Sequence, residues 1–323
     1  MIMSSPELVK SKDKTSQDFG KKPDERNMLE YINLGVINLN KPSGPTSHQV
    51  VAWVKKILNI EKAGHGGTLD PRVTGVLPVA LGESTKTLKL LLSYPKEYVG
   101  VMRMHKDINE KNLRKTCSGF VGEIRQMPPV RSAVKRQMRK RKIYYLNILE
   151  IHKRDVLFRV GCESGTYIRT LCNDIGKKIG GAHLQELRRT KGGGFNEKDS
   201  VTLQVLKDAY VYWKEENNEK ELRKIIMPME KMLEGMHKIK IRDSAVDALC
   251  HGANLAVPGI ASLDRDIKKD ETVAILTLKD EGVAYGKALM TSKEIMEKNS
   301  GYTVDTQRVL MEPGTYPKCW GKK

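Results

Sequence analysis

The chain has 323 residues, of which 39% are apolar and 30% charged. That length suggests two domains, and that balance fits a globular chain and excludes a membrane-embedded one. No unbroken apolar window approaches the roughly 18 residues of a membrane-crossing helix, and the opening MIMSSPELVKSKDK lacks the apolar core of a signal peptide. Lys and Arg outnumber Asp and Glu by 57 to 39, for a formal net charge of +18, so a polyanionic partner, nucleic acid foremost, is expected, with a solubility role as the plainer alternative.

Residues 1 to about 30 are polar and aperiodic, an arm that is loose or orders only on another domain. A first strand is expected at Gly35-Val36-Ile37-Asn38-Leu39, broken by the turn residues Asn40 to Pro45. A helix follows, with Ser47 as its cap, Val50, Val51, Val54, Ile57 and Leu58 on one face, and Asn59 as its stop. Residues 64–82 carry too many glycines and prolines for a regular helix. Tyr98 to Met104 alternates as a strand, and Asp107 to about Cys117 reads as an exposed helix. Residues 143–151 and 155–163 read as a hairpin joined at His152-Lys153-Arg154. Ile168, Leu171, Cys172, Ile175 and Ile179 form a helical stripe that Gly180-Gly181 ends. A short helix is expected over His183 to Arg189, a sharp turn at Gly192-Gly193-Gly194, and a polar helix from about Leu203 to Ile226. Strands at 272–278, 282–290 and 303–311 then make a small β-rich domain. The cysteines (Cys117, Cys162, Cys172, Cys250, Cys319) are scattered, odd in number and without a C-x-x-C pair. That argues against a disulfide framework or a zinc site and for a reducing, cytoplasmic setting.

Three segments could carry chemistry. Residues 131–154 hold Arg131, Lys135, Arg136, Arg139, Lys140, Arg141, Lys142, Lys153 and Arg154 against the single acid Glu150, beside Tyr144 and Tyr145. Long cations suit phosphates and tyrosines can stack on bases, so RNA or DNA contact is favoured over a solvated charged loop. Gly64-His65-Gly66-Gly67-Thr68-Leu69-Asp70-Pro71 places a carboxylate on a glycine-rich path that Pro71 stiffens. This is a placed catalytic group or, equally on spacing alone, a turn-forming Asp-Pro. Ser164 to Thr170 sits at a strand-to-helix junction, where Arg169 lies off the apolar stripe and the simpler reading makes Thr166 a cap and Arg169 a solvated side chain.

Taken together, GHGGTLDPRVTGVLPVALGESTK, KEYVGVMRMHKD and SGTYIRTL resemble the three motifs of the tRNA pseudouridine synthase B family. PPVRSAVKRQMRKRKIYYLNILEI and HLQELRRTKGGGF resemble its archaeal and eukaryotic, dyskerin-type branch, and the lack of long Lys-rich tails looks archaeal. DSAVDALCHGANLAVPGI and VLMEPGTYPKCW resemble a PUA domain. Gly66 stands where that pattern has Ser or Thr, and Lys191 to Phe195 replaces an R-S-G-P-F. The resemblance implies an α+β fold. A catalytic domain with a mixed, mainly antiparallel sheet flanked by helices would span 31–235, after the arm at 1–30. A β-barrel PUA domain would span 236–315, and a tail 316–323.

The family isomerises uridine to pseudouridine, with no cofactor or metal implied. Its substrates are the T-loop uracil-55 of tRNA and, with H/ACA guide RNA and small accessory proteins, ribosomal RNA; no membrane partner is implied. By resemblance Asp70 is the essential carboxylate, which must be ionised in a dry pocket, and Arg169 is the arginine that pairs with it. Tyr98 is the ring that stacks on the target base, and Tyr167 is a general base near C5 that needs help from Arg169 or a relayed water. His65 matches the residue placed where the flipped uridine leaves its stack. His65, Lys41 and Leu69 are thus expected at the substrate, Lys41 as part of the site's floor, and Arg131, Lys135, Arg136, Arg139, Lys140, Arg141 and Lys142 at the RNA. The rival readings are a non-catalytic RNA-binding scaffold of a ribonucleoprotein and an Asp-based enzyme that excises the base.

Overall fold

Residues 7–107, 109–128 and 137–318 are described by the computed structural model of the chain. They divide into two compact units. One takes Ile37–Val79 and Leu88–Ile225; the other takes the chain up to Val36, Ala80–Thr87, and the chain from Ile226 onward. Arg131, Lys135, Arg136 and Cys319 lie outside the described residues.

The first unit is built on a mixed sheet. Its strands, in spatial order, are Gly35–Lys41, Thr74–Leu81, Ala182–Gly192, Lys96–Met104, Asp155–Cys162, Arg139–His152 and Gly122–Gln126. The Thr74–Leu81 and Ala182–Gly192 pair is parallel, while Lys96–Met104 runs antiparallel to both its neighbours. Alternation along Lys96–Met104 sends Met102 and Met104 into a core with Phe158 and Val160. The helix Ile168–Lys178 closes that core by laying Ile168, Leu171, Cys172 and Ile175 on it. The hairpin is longer than its apolar part: Arg139–His152 begins four residues before Ile143 because Gly122–Gln126 pairs along its basic stretch, with Ile124 opposite Arg141.

Three expectations are corrected. His183 to Arg189 is not a helix but the middle of the strand Ala182–Gly192. Leu, Gln, Glu and Arg favour helix locally, but strands pair with this segment on both edges, and tertiary pairing overrides propensity. The cap of Ser47–Leu58 is Thr46, whose side chain accepts from the Gln49 N–H, so Ser47 is free for another task. The polar stretch after Leu203 is two helices, Leu203–Glu216 and Lys220–Ile225, separated by Asn217 in the left-handed region at φ 54°. The turn at the three glycines is as expected: Gly193 and Gly194 both have positive φ, and they join Gly192 to Phe195 as a two-residue hairpin loop.

In the second unit the strand order is Glu7–Val9, Ile260–Asp264, Lys238–Ile241, Thr272–Leu276, Gly282–Ala288, Tyr302–Val309 and Leu255–Ala256. All neighbours are antiparallel except Lys238–Ile241 with Thr272–Leu276. Ile239, Ile241, Val273, Ile275, Val283 and Val304 fill its core. The N-terminal arm is therefore partly ordered, since Leu8 pairs opposite Leu263.

A buried ion pair fastens the rest of the arm. Arg26 Nη1 and Nη2 donate to the two Glu230 carboxylate oxygens at 2.9 and 2.7 Å, and Glu230 also accepts the Gly282 N–H at 2.9 Å. Arg26→Met would leave that carboxylate buried without its cation, so the substitution is expected to destabilise the chain by about 3 kcal/mol. Urea unfolding of the two proteins checks this.

Candidate active site

The loop that carries Asp70 runs between the strands Ala63–His65 and Thr74–Leu81. A loop tucked against a sheet leaves backbone groups that no ladder satisfies, and here side chains satisfy them. The fully buried Lys41 ammonium donates to the Pro42, Pro71 and Val73 carbonyls, each at 2.9 Å. Ser47, also fully buried, accepts the Leu69 N–H at 2.9 Å and donates to the Leu69 carbonyl at 3.1 Å. Arg189 donates through Nε to the Val76 carbonyl at 2.6 Å and through Nη2 to the Gly67 carbonyl at 3.2 Å. Gly67 itself needs φ 120°. Gly66 is packed so closely on Leu91 that a Cβ there would come within 2.8 Å of that side chain.

Asp70 stands at the apex of this loop and is ion-paired with Arg169 Nη2. The partner loop is fixed in the same manner. The buried Gln126 amide donates to the Tyr167 carbonyl at 3.1 Å and accepts the Tyr167 N–H at 3.0 Å, so the residue that opens the helix Ile168–Lys178 is clamped on both sides. Tyr98 lies half-buried on Lys96–Met104, opposite Arg189 in the register. Burial pushes its phenol up, and the nearby positive charge of Arg189 pulls the other way. Asp70 is near enough to Tyr98 for its charge to be felt there.

The structure thus brings Asp70, Arg169 and Tyr98 together and puts Tyr167 two residues before Arg169. It does not bring them into a dry pocket: the Arg169 and Asp70 side chains keep 57% and 55% of their exposure. A pair that open contributes little to stability, at most about 1 kcal/mol, so its value lies in the angle at which it holds the carboxylate. Lys41, expected in the floor of the site, and Leu69 both lie in or under the Asp70 loop. Lys41 is enclosed, with its three donors directed at carbonyls, and Leu69 is buried beneath the loop. Both support Asp70 from below. His65 is half-buried, edge-on to His48 with ring centroids 5.0 Å apart. Burial lowers its pKa, and His48 and Arg189 lower it further.

On the basic strand, Arg139 and Arg141 point inward while Lys140 and Lys142 are exposed. Arg141 is the one beside the active-site loop, 3.8 Å from Glu163 and against Gly165. Acids from distant segments meet several of these cations: Lys140 pairs with Glu123 at 2.9 Å, and Arg154 with Asp107 at 2.7 Å. Ser47, Gln126 and Arg189 were not anticipated. Arg189 lies inside a motif quoted above, and its strand assignment would have turned it inward.

The comparisons with known proteins agree with this geometry. Residues 55–168 match the TruB family pseudouridylate synthase N-terminal domain, 169–234 the tRNA pseudouridylate synthase B C-terminal domain, 237–310 the PUA domain and 5–51 the DKCLD (NUC011) domain. A uridine-isomerising fold joined to a PUA domain is the class these matches define. The chain is 57% identical to the probable tRNA pseudouridine synthase B of Methanopyrus kandleri, over 98% of this chain and 94% of that one. It is 55% identical to the protein of the same name from Methanocaldococcus jannaschii, with the same coverage. The chain belongs to the tRNA pseudouridine synthase B family. Among solved structures, a chain of the H/ACA RNP bound to a substrate RNA containing 2′-deoxyuridine is 52% identical, with a TM-score of 0.91 over 99% of this chain and 98% of that one. A chain of the Cbf5-Nop10-Gar1 complex is 54% identical, with a TM-score of 0.91 over 98% and 97%.

Protonating His65 works against the fold, because its folded pKa lies below the 6.5 of an ordinary imidazole. The contribution of neutral His65 is therefore complete above about pH 6.5 and is lost as the pH falls toward the folded pKa. The stability difference between the wild type and His65→Gln, measured by urea unfolding, is expected to shift in favour of the variant between about pH 7.5 and about pH 5.

Proposed function

We propose that this chain converts uridine to pseudouridine in RNA with Asp70 as the carboxylate that acts at the sugar. The observation that carries the reading is the Asp70–Arg169 pair, presented by a loop and by the start of a helix that buried side chains hold by their backbones. In the reaction the N1–C1′ bond breaks, the base turns, C5 bonds to C1′, and the C5 proton is lost while N1 gains one. Atoms and electrons balance without an added reactant. Asp70 serves by attacking C1′ or by accepting the 2′-proton, and Arg169 fixes its angle in either case. Tyr98 offers a ring face to the base, with the positive charge of Arg189 nearby. Tyr167 is the base for the C5 proton. His65, kept neutral by its surroundings, lies where an unstacked base would enter. Lys41 and Leu69 act through the loop.

The names of the curated relatives support tRNA as a substrate. The likeness to chains of H/ACA particles supports guide-directed modification of ribosomal RNA, with Nop10- and Gar1-like accessory proteins as partners. The RNA grip is assigned to Arg139, Lys140, Arg141 and Lys142, to the adjoining Arg131, Lys135 and Arg136, and to the PUA domain. Cys117, Cys162, Cys172 and Cys250 are free and buried, which supports a reducing, cytoplasmic setting. Among the described residues no helix is long and apolar enough to cross a membrane.

Asp70→Asn is expected to lower pseudouridine formation in a tRNA transcript by at least about 10²-fold while leaving RNA affinity unchanged. Full activity in that variant would refute Asp70 as the acting carboxylate, no pseudouridine from the wild type would favour the scaffold reading, and free uracil among the products would favour base excision. Affinity for RNA is expected to fall at least about tenfold between roughly 50 and 200 mM salt, because several phosphates are neutralised. Filter binding across that range measures it.

A further inference from the structure

Lys96 opens the strand that carries Tyr98, yet its own side chain is buried and touches neither Tyr98 nor Asp70. Its ammonium donates to the Tyr94 carbonyl at 2.7 Å, the Leu92 carbonyl at 2.8 Å and the Leu91 carbonyl at 3.4 Å. These carbonyls lie where the helix Leu88–Ser93 ends and intrahelical donors run out. The Ser164 hydroxyl oxygen, 3.0 Å away, also accepts, so three N–H donors are shared among four oxygens, and that hydroxyl itself donates to the Leu92 carbonyl. Lys96, Leu92 and Ser164 thus close a triangle. One corner is the segment whose Leu91 side chain supports Gly66 from beneath. Another is Ser164, in the turn that leads into Tyr167 and the helix bearing Arg169.

Enclosing an ammonium without a carboxylate among its partners is costly. Burial and the nearby Arg189 draw Lys96 down to about 8, opposed by the Cys162 thiol. Around the ammonium stand Arg189 from the strand Ala182–Gly192, Cys162 from Asp155–Cys162, the Ser164 hydroxyl, and the carbonyls of Leu88–Ser93 and Tyr94. A neutral amine would satisfy fewer of these oxygens.

We infer that Lys96 is a positioning residue of the active site, an ammonium that locks the support of the Asp70 loop, through Ser164, to the turn that leads into Tyr167 and the helix bearing Arg169. The inference rests on the isomerase reading for its kinetic consequence, but not for its structural one. Lys96→Met is expected to slow single-turnover conversion of uridine in a tRNA transcript by about 10- to 100-fold with RNA affinity unchanged. Ser164→Ala slows it less, and the double variant is no slower than Lys96→Met alone, because both act through one contact. The wild-type rate falls as the pH rises through about 8, and that fall is missing in Lys96→Met. Additive effects, a Lys96→Met rate within twofold of wild type, or an alkaline fall that persists in the variant overturns the proposal. Amide hydrogen exchange across Thr166–Arg169 reads the same lock without turnover. Faster exchange in Lys96→Met supports it and unchanged exchange overturns it, even if the wild type proves inactive, which would refute the isomerase reading alone. Should Lys96→Met not fold, the wild type decides. Protection of these amides that drops above about pH 8 beyond the chemical trend supports the lock, and protection that follows the trend overturns it.

Discussion

A reactive carboxylate needs an irregular stretch of backbone to stand on, and irregular backbone beside a sheet has carbonyls with no ladder to join. The Asp70 loop meets that constraint with cations. Lys41 takes three carbonyls on one side of it, and Arg189 takes two on the other. An unmet buried acceptor costs about 1–3 kcal/mol, so these contacts decide whether the loop has one conformation or many. Asp70, whose own ion pair is open to water, inherits its orientation from charges whose own bonds go to backbone carbonyls.

The positive charge of the chain therefore does two different jobs. Inside, Lys41 and Arg189 are solvated by backbone oxygen and bring no net attraction to distant anions beyond their contribution to the field. Outside, the strand Arg139–His152 turns Lys140 and Lys142 outward, and part of even that charge is met by Glu123, which pairs with Lys140. The formal excess of +18 thus overstates what is free to meet phosphate. Some of what remains lies on the strand Arg139–His152, where Arg141 comes close to Gly165.

Much of this was legible in the amino-acid order, and the failures share a cause. The helix Ser47–Leu58 could be read because Val50, Val51, Val54 and Leu58 recur at its period and all are buried. The pairing of Asp70 with Arg169 could be read because three ordered motifs resemble a family. His183 to Arg189 could not, since its strand state is set by partners at Thr74–Leu81 and Lys96–Met104 that are distant in sequence. Ser47, Gln126 and Arg189 escaped for a related reason: what they hold is backbone, which is chemically alike at every position and leaves no mark in the residue order. Asp70 was expected to be dry, but enclosure depends on what surrounds the finished loop.

The N-terminal strand carries a consequence for how the molecule is made. Glu7 accepts a hydrogen bond from Ser262, a residue 255 positions later, whereas every residue of the sheet unit lies between Ile37 and Ile225. At about 5–20 residues per second, a ribosome needs roughly 13–50 s to travel from one partner to the other. The sheet unit can therefore close during translation while the first strand still waits with an open edge. Long-range pairing of this kind is slow to form and vulnerable until it does, so the beginning of the chain is among the last parts to find its place.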